Sequence, residues 1–330
     1  MKKVMISRYG AFGDVLHCSH LPRLLKEKGF DYVAFETNQK GYQILVDNPY
    51  IDELISFNPQ LPSLKTAPIS VLWKHWEIIS EGYDKFINLF RTIEHKYLAM
   101  EDMNEYYMND TFRRKKYGGI NYYDTQTIEA GYPDDLGRKG EVHFTDEELN
   151  IVEKWVGRRS KTFNVLVNLS GSSLHKRFVQ AKEVCEKILS RYKDAHIILT
   201  GDASCEEYAF EGTRIESICG KKPFKQVMCI AQYMDLVITL ESGLGVASNL
   251  FEVPTIQLMT AADLVNHGDG VKNDLSLQSP AKCSPCHKGP YKYIGCSAKD
   301  GLPICVYFEV DKILEKVDEA YVYYDKKFIL

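Results

Sequence analysis

The chain has 330 residues, 45% of them hydrophobic and 26% charged, with a net charge of −4. This is the composition of a soluble globular protein, long enough for two domains. The charge gives no electrostatic basis for general nucleic-acid binding, and no run of about 18 apolar residues is available to span a membrane. Nine cysteines follow a start, MKKVMISRYG, that has no apolar signal region. They argue for free thiols or a metal rather than a disulfide framework, and for a cytoplasmic protein.

The first predicted strand, VMIS at 4–7, runs into Gly10 and Gly13, and a helix is expected from about Asp14 to Lys28. A dinucleotide fold would place a pyrophosphate at such a loop, on free N–H groups. A carboxylate at position 14 suits a helix start but repels a phosphate. Strands follow at DYVAFE (31–36), ELISF (53–57) and KFINLF (85–90), with helices expected around 42–46 and 70–80. This βαβα rhythm predicts a parallel sheet covered by helices on both faces. Residues 104–140 break the rhythm and read as loops with short helices. Thr145 and Glu148 form a capping box before LNIVEKWV, and GRRSK reads as a linker.

The rhythm then restarts with a strand at NVLVNLS (164–170), a helix over 181–191 and a strand at HIILTG (196–201). A helix from about Cys205, a strand at RIESIC, a helix at FKQVMCIAQY, a strand at LVITL (236–240), a helix after ESG and a strand at PTIQLM (254–259) complete it. Residues 309–325 form a last amphipathic helix. The reading is α/β, with two Rossmann-like domains at 1–158 and 159–308. The terminal helix, 309–330, is free to pack back toward the first. Ligands are expected at the carboxyl ends of the strands, in a cleft between the domains.

The second half carries the stronger phosphate signal. Gly171, Ser172 and Ser173 follow a strand directly, and Lys176 adds a positive charge. Ser242, Gly243, Leu244 and Gly245 open a second helix whose N–H groups can face an anion. Glu206 or Glu207, after the strand-end Gly201, can accept a ribose hydroxyl. Each of these features alone also fits an ordinary turn or a surface glutamate.

Taken in order, GDVLH, NLSGSSLHK, IILTGDASCEE, the block SICGKKPFKQVMCIAQYMDLVITLESGLGVASNLFEVPTIQLM and the terminal Cys-x-x-Cys resemble glycosyltransferase family 9. These are the bacterial heptosyltransferases of lipopolysaccharide core assembly. The resemblance is strongest at 6–25 and 164–260 and weak at 60–160. It implies a GT-B fold, with an acceptor-binding N-terminal domain facing a donor-binding C-terminal domain. It also implies inverting transfer of a heptose or related sugar from a nucleotide-diphosphate donor to a glycan, glycolipid or glycoprotein, without a catalytic metal. Work at the inner face of the cell membrane would fit such acceptors. Asp14 matches the family's general base, Ser172 and Lys176 its diphosphate contacts, Glu206 its nucleoside carboxylate, and Ser242 and Gly243 its second phosphate-side turn. With Gly13, Ser173, Glu241 and Leu244 these make up the expected donor site. The family's Asp-Ser-Gly is Glu241-Ser242-Gly243 here, and its following His is Val246. These departures leave the sugar open.

In this reading Asp14 accepts the proton of the attacking hydroxyl, while Lys176 and the helix start after Glu241 offset the charge of the leaving nucleoside diphosphate. Cys283, Cys286, Cys296 and Cys305 are spaced either for a structural zinc or iron site or for a reduced loop. CSPCH spells a c-type haem attachment signature, which requires export. The other cysteines, at 18, 185, 205, 219 and 229, read as small core residues. His17 is either a cleft residue or a packing one, and RRKK (113–116) either an anion site or a solvated run. Rival readings are an inactive nucleotide-sugar binder, a GT-B epimerase and a Rossmann oxidoreductase. The last lacks its G-x-G-x-x-G.

Overall fold

A computed structural model describes residues 1–57, 69–157, 162–171, 173–268, 274–289 and 296–326. Its strands are β1 (Lys3–Ser7), β2 (Tyr32–Thr37), β3 (Glu53–Ser56) and β4 (Lys85–Asn88), then β5 (Phe163–Asn168), β6 (Ala195–Thr200), β7 (Ile215–Ser217), β8 (Leu236–Leu240), β9 (Thr255–Met259) and β10 (Leu277–Gln278). The helices used below are α1 (Phe12–Leu16), α2 (Leu21–Glu27), α3 (Gln39–Leu45), α4 (Ile69–Ile79), α5 (Thr92–Lys96), α6 (Asp110–Tyr117), α7 (Tyr122–Glu129), α8 (Asp146–Gly157), α9 (Ala181–Arg191), α10 (Phe224–Gln232), α11 (Gly243–Leu250), α12 (Leu264–Gly268) and α13 (Val310–Lys326).

These strands form two parallel sheets, ordered β3-β2-β1-β4 and β10-β9-β8-β5-β6-β7, and Ala298–Lys299 pairs antiparallel with Leu302–Pro303 as a separate two-stranded sheet. Apolar runs explain the parallel sheets. Val4, Met5 and Ile6 of β1 and Val165, Leu166 and Val167 of β5 are buried without alternation, as strands covered on both faces must be. In each parallel sheet the strand order reverses beside the first strand. The carboxyl ends of β1 and β5 therefore lie at topological switch points, where ligands bind in open α/β sheets.

Two compact units result: residues 1–93 with 122–143, and 94–121 with 144–330. Residues 94–121, including α6, thus belong with the second sheet. So does α8, whose capping box is present: Thr145 N donates to Glu148 Oε2 (2.9 Å) and Glu148 N to Thr145 Oγ1 (3.2 Å). α13 places Ile313, Leu314, Val317 and Ala320 in the second unit's core, with Val184, Cys185 and Ile188 of α9.

Two helices differ from expectation. The helix predicted over 14–28 is split into α1 and α2, with Pro22 in the first turn of α2. A proline N has no hydrogen to give to the carbonyl four residues back, and its ring crowds that carbonyl. The helix expected from Cys205 is a single 3₁₀ turn, Ala203–Glu207, started by Asp202 accepting from Ser204 N. Among the described residues no helix is long and apolar enough to cross a membrane.

Candidate active site

In the first unit, β1 is followed by Arg8-Tyr9-Gly10, and α1 begins two residues after Gly10. The Asp14 carboxylate turns back over this loop. Its Oδ2 accepts the Ala11 N–H at 2.7 Å, and its Oδ1 lies 3.4 Å from Nη2 of the fully buried Arg8. The helix-start role of Asp14 is therefore realised, and the side chain still keeps 25% of its surface exposed. A Cβ on Gly10 would come within 2.5 Å of Asp14 Oδ2, so the loop needs glycine there to let the carboxylate settle. Gly13 lies inside α1. With five residues and one N–H already taken by Asp14, α1 does not form a phosphate cradle.

Neighbouring strand ends pin this loop. Arg8 N donates to Glu36 O, Thr37 Oγ1 to Arg8 O (2.7 Å), and Asn38 Nδ2 to Gly10 O (2.9 Å). Buried Glu36 accepts from Ser7 Oγ, Tyr9 OH and His75 Nε2. His17 packs edge-on against Tyr122 and Tyr123 and is buried. The packing alternative is the one realised.

In the second unit the loop after β5 closes on itself. Gly171 N donates to Lys176 O (2.7 Å) and Lys176 N to Ser173 O (2.9 Å). A Cβ on Gly171 would meet Lys176 Cβ at 2.7 Å. Ser173 Oγ pairs with His175 Nδ1 at 3.2 Å. Ser172 lies outside the described residues. Beside this loop, Ser242 caps α11 by position, its hydroxyl held by Asn168 Nδ2 (3.2 Å) and Thr239 Oγ1 (3.1 Å). Gly243 is half-buried. Leu244 and Val246 point into the protein and are buried. Leu244 packs with Val227 and Ile230 of α10, so it has only its main chain to offer a ligand. Glu206, in the 3₁₀ turn that follows β6, is exposed. Its Oε1 sits where a Cβ on Gly220 would come within 2.4 Å, and Gly220 has φ +64°. Both conditions favour glycine under that carboxylate.

Glu241 is the most constrained group of the site. Its Oε2 accepts the N–H groups of Thr260 (3.2 Å), Ala261 (2.9 Å) and Ala262 (3.0 Å). Its Oε1 faces Lys176 Nζ at 3.8 Å. Burial alone would raise this carboxyl's pKa. Lys176, His175, His267 and the Ala262 N–H outweigh burial and hold it at about 2.

The cysteine segment is organised by arginines. Arg113 Nε donates to Cys286 O (2.7 Å). Arg114 donates to Pro285 O (3.0 Å), Lys282 O (2.6 Å) and Ser284 O (3.2 Å). The basic run on α6 is thus half spent as a clamp on 282–286, and Arg113 is buried. Burial and then Cys286, Cys283 and Cys296 push the Cys305 thiol up to about 12. Among the described residues, however, no group of three or more His, Cys, Asp or Glu side chains could hold a metal ion. Main-chain carbonyls bound to the guanidinium groups of Arg113 and Arg114 fix the segment.

Sequence reading missed Arg8, the Thr260–Ala262 turn and the clamp. A lone arginine after a strand and a Thr-Ala-Ala turn carry no motif.

Two units, each a parallel sheet with a polar loop at its switch point, define the class of fold. No family model matches the chain, and no curated protein matches it by sequence. Solved structures do match it. A glycosyl transferase family 9 structure from Veillonella parvula DSM 2008 aligns over 98% of both chains, with TM-score 0.70 and 14% identity. The Escherichia coli ADP-heptose lipopolysaccharide heptosyltransferase II aligns over 98% of this chain and 100% of its own, with TM-score 0.65 and 11% identity. The iron-containing dodecameric glycosyltransferase TibC of enterotoxigenic E. coli H10407 aligns over 98% of this chain and 77% of its own, with TM-score 0.63 and 11% identity. The chain has the GT-B fold of these proteins.

Proposed function

We propose that the protein is an inverting glycosyltransferase. It moves a heptose or related sugar from a nucleotide-diphosphate donor to a hydroxyl of a glycan, glycolipid or glycoprotein. The observation that carries this reading is the placing of Asp14 and Lys176 beside the switch-point ends of β1 and β5, in a fold shared along nearly the whole chain with glycosyltransferases. TibC has been solved with ADP-D-β-D-heptose, which makes an ADP-sugar the first donor to try.

In the reaction, the acceptor oxygen forms a bond to the anomeric carbon as the bond from that carbon to the diphosphate breaks. Asp14 takes the hydroxyl proton, because a neutral hydroxyl is a poor nucleophile. The leaving diphosphate gains negative charge, which Lys176, Ser173 and the Ser242–Gly243 turn offset. Glu206 binds the donor ribose. Each group acts from its own unit, the acceptor on the first and the donor on the second.

A thermal-shift panel of nucleotide sugars tests the donor, because a ligand that binds only the native state raises the melting temperature. ADP-heptose should raise it, and Asp14→Asn should keep that shift while losing sugar transfer. Transfer at the wild-type rate by Asp14→Asn would remove the base assignment.

A further inference from the structure

We infer that Glu241 is a positioning residue that holds Lys176 at the diphosphate loop, and that the turn Thr260–Ala262 holds Glu241. The inference rests on the proposed donor role of Lys176. It replaces the expectation that Glu241 itself touches the donor.

The geometry leaves little else for this carboxylate to do. Three main-chain N–H groups converge on Oε2. Oε1 is left facing Lys176 Nζ. Only 8% of the Glu241 side chain is exposed, against 18% for Lys176, so of the two the ammonium is the better placed to meet a ligand. An ammonium has three donors, and one carboxylate oxygen leaves it the others for phosphate oxygens.

The turn is itself braced. Thr260 Oγ1 donates to His175 O (3.2 Å), joining the turn to the diphosphate loop. Ser284 Oγ donates to Thr260 O (2.7 Å), Gln278 Nε2 to Met259 O (3.3 Å) and Ala262 O (3.2 Å), and His287 N to Ala261 O (2.7 Å). Ser284 and His287 belong to the cysteine segment clamped by Arg113 and Arg114. That segment therefore acts as a strut, running from α6 through Ser284, Thr260 and Glu241 to Lys176.

Glu241→Gln separates the possibilities. The N–H groups demand an acceptor, so the amide oxygen takes the Oε2 place and the NH2 group faces Lys176, pushing the ammonium away. ADP and AMP serve as probes, because they differ by the phosphate Lys176 would reach. Calorimetry on the full chain should show ADP binding weakened about tenfold in Lys176→Met and in Glu241→Gln, with AMP within about twofold of wild type. A residue that merely stabilised the fold would weaken both nucleotides alike. If Glu241→Gln fails to fold, Glu241→Asp carries the same test. Its shorter side chain keeps the charge but cannot reach both the turn and Lys176, and it should show the same selective loss in smaller measure. Selective loss in Lys176→Met but undiminished ADP binding in the Glu241 variants overturns the positioning role alone. Unchanged ADP binding in Lys176→Met overturns the donor reading beneath it.

Discussion

Arg8 Nη2 lies 3.4 Å from Asp14 Oδ1, with the guanidinium wholly buried and the carboxylate at the protein surface. Arg8 also donates from Nη1 to Leu89 O at 2.9 Å. Burying a guanidinium is costly unless it is paired. The carboxylate proposed as base is thus also a counter-ion for Arg8. Asp14→Asn should lower unfolding free energy by about 2 kcal/mol, less than for a fully buried pair because Asp14 is partly solvated. Adding Arg8→Met should recover part of that loss, with a coupling of about 1 kcal/mol in a urea-denaturation cycle. Strictly additive losses would mean that the two groups do not interact in solution.

Gly10 gives a test of Asp14 that leaves the carboxylate in place. A Cβ at position 10 would lie 2.5 Å from Oδ2 and 2.8 Å from Asp14 Cβ. Gly10→Ala must push the side chain of residue 14 off the loop. Turnover with ADP-heptose should fall about a hundredfold, since misplacing a reacting group by about 1 Å costs that much. ADP affinity, which the proposed donor site assigns to the second unit, should not change. Equal losses in both would show that the substitution disturbs more than the base.

What was legible in the sequence follows from which signals are local. Continuous apolar runs marked β1, β2, β5, β6, β8 and β9 because buried parallel strands have no polar face to disguise them. α9 and α11 were readable from their apolar spacing. The break at Pro22 was missed because the apolar pattern of 14–28 continues across it, although a proline there is a stop signal. The extra turn at Ala203–Glu207 stayed short where a helix was expected. Glu241 could be placed at a strand end, but its nest of N–H groups comes from residues 260–262, nineteen to twenty-one positions away. No local pattern reports such a meeting. The same holds for Arg114 and the carbonyls near 284, some 170 residues apart.

The arginine clamp predicts how the cysteine segment responds when it is loosened. Arg114 gives three of the main-chain bonds that hold 282–286. Arg114→Ala should cost about 2 kcal/mol of stability, the scale for losing bonds from a charged donor. Cys283 and Cys286, both half-buried, should then react faster with a maleimide under native conditions, while buried Cys185 should stay unreactive. An unchanged rate at Cys283 would mean that the segment holds its shape without α6.

Two buried histidines set an expectation for pH. Burial, then Arg138, lowers His20 to about 3, with Glu141 opposing. Burial, then Lys176, lowers His175 to about 4, with Glu241 opposing. An unfolded histidine titrates near 6.5. Below that value the unfolded chain binds protons that the folded chain refuses, so acid favours unfolding. The stability each histidine contributes is complete above about pH 6.5 and is lost as pH falls toward its folded value. Glu241 acts in a lower window: its folded value of about 2 makes its contribution fade only below about pH 4.5. Between pH 7 and pH 5 the histidines should therefore dominate, each removing about 2 kcal/mol. Urea denaturation at the two pH values should show this fall, and His20→Gln should shrink it by about 2 kcal/mol. His20 meets Thr127 Oγ1 at 2.8 Å, a contact that glutamine can keep without titrating. A His20→Gln protein with the full wild-type pH dependence would show that position 20 is not where the proton goes.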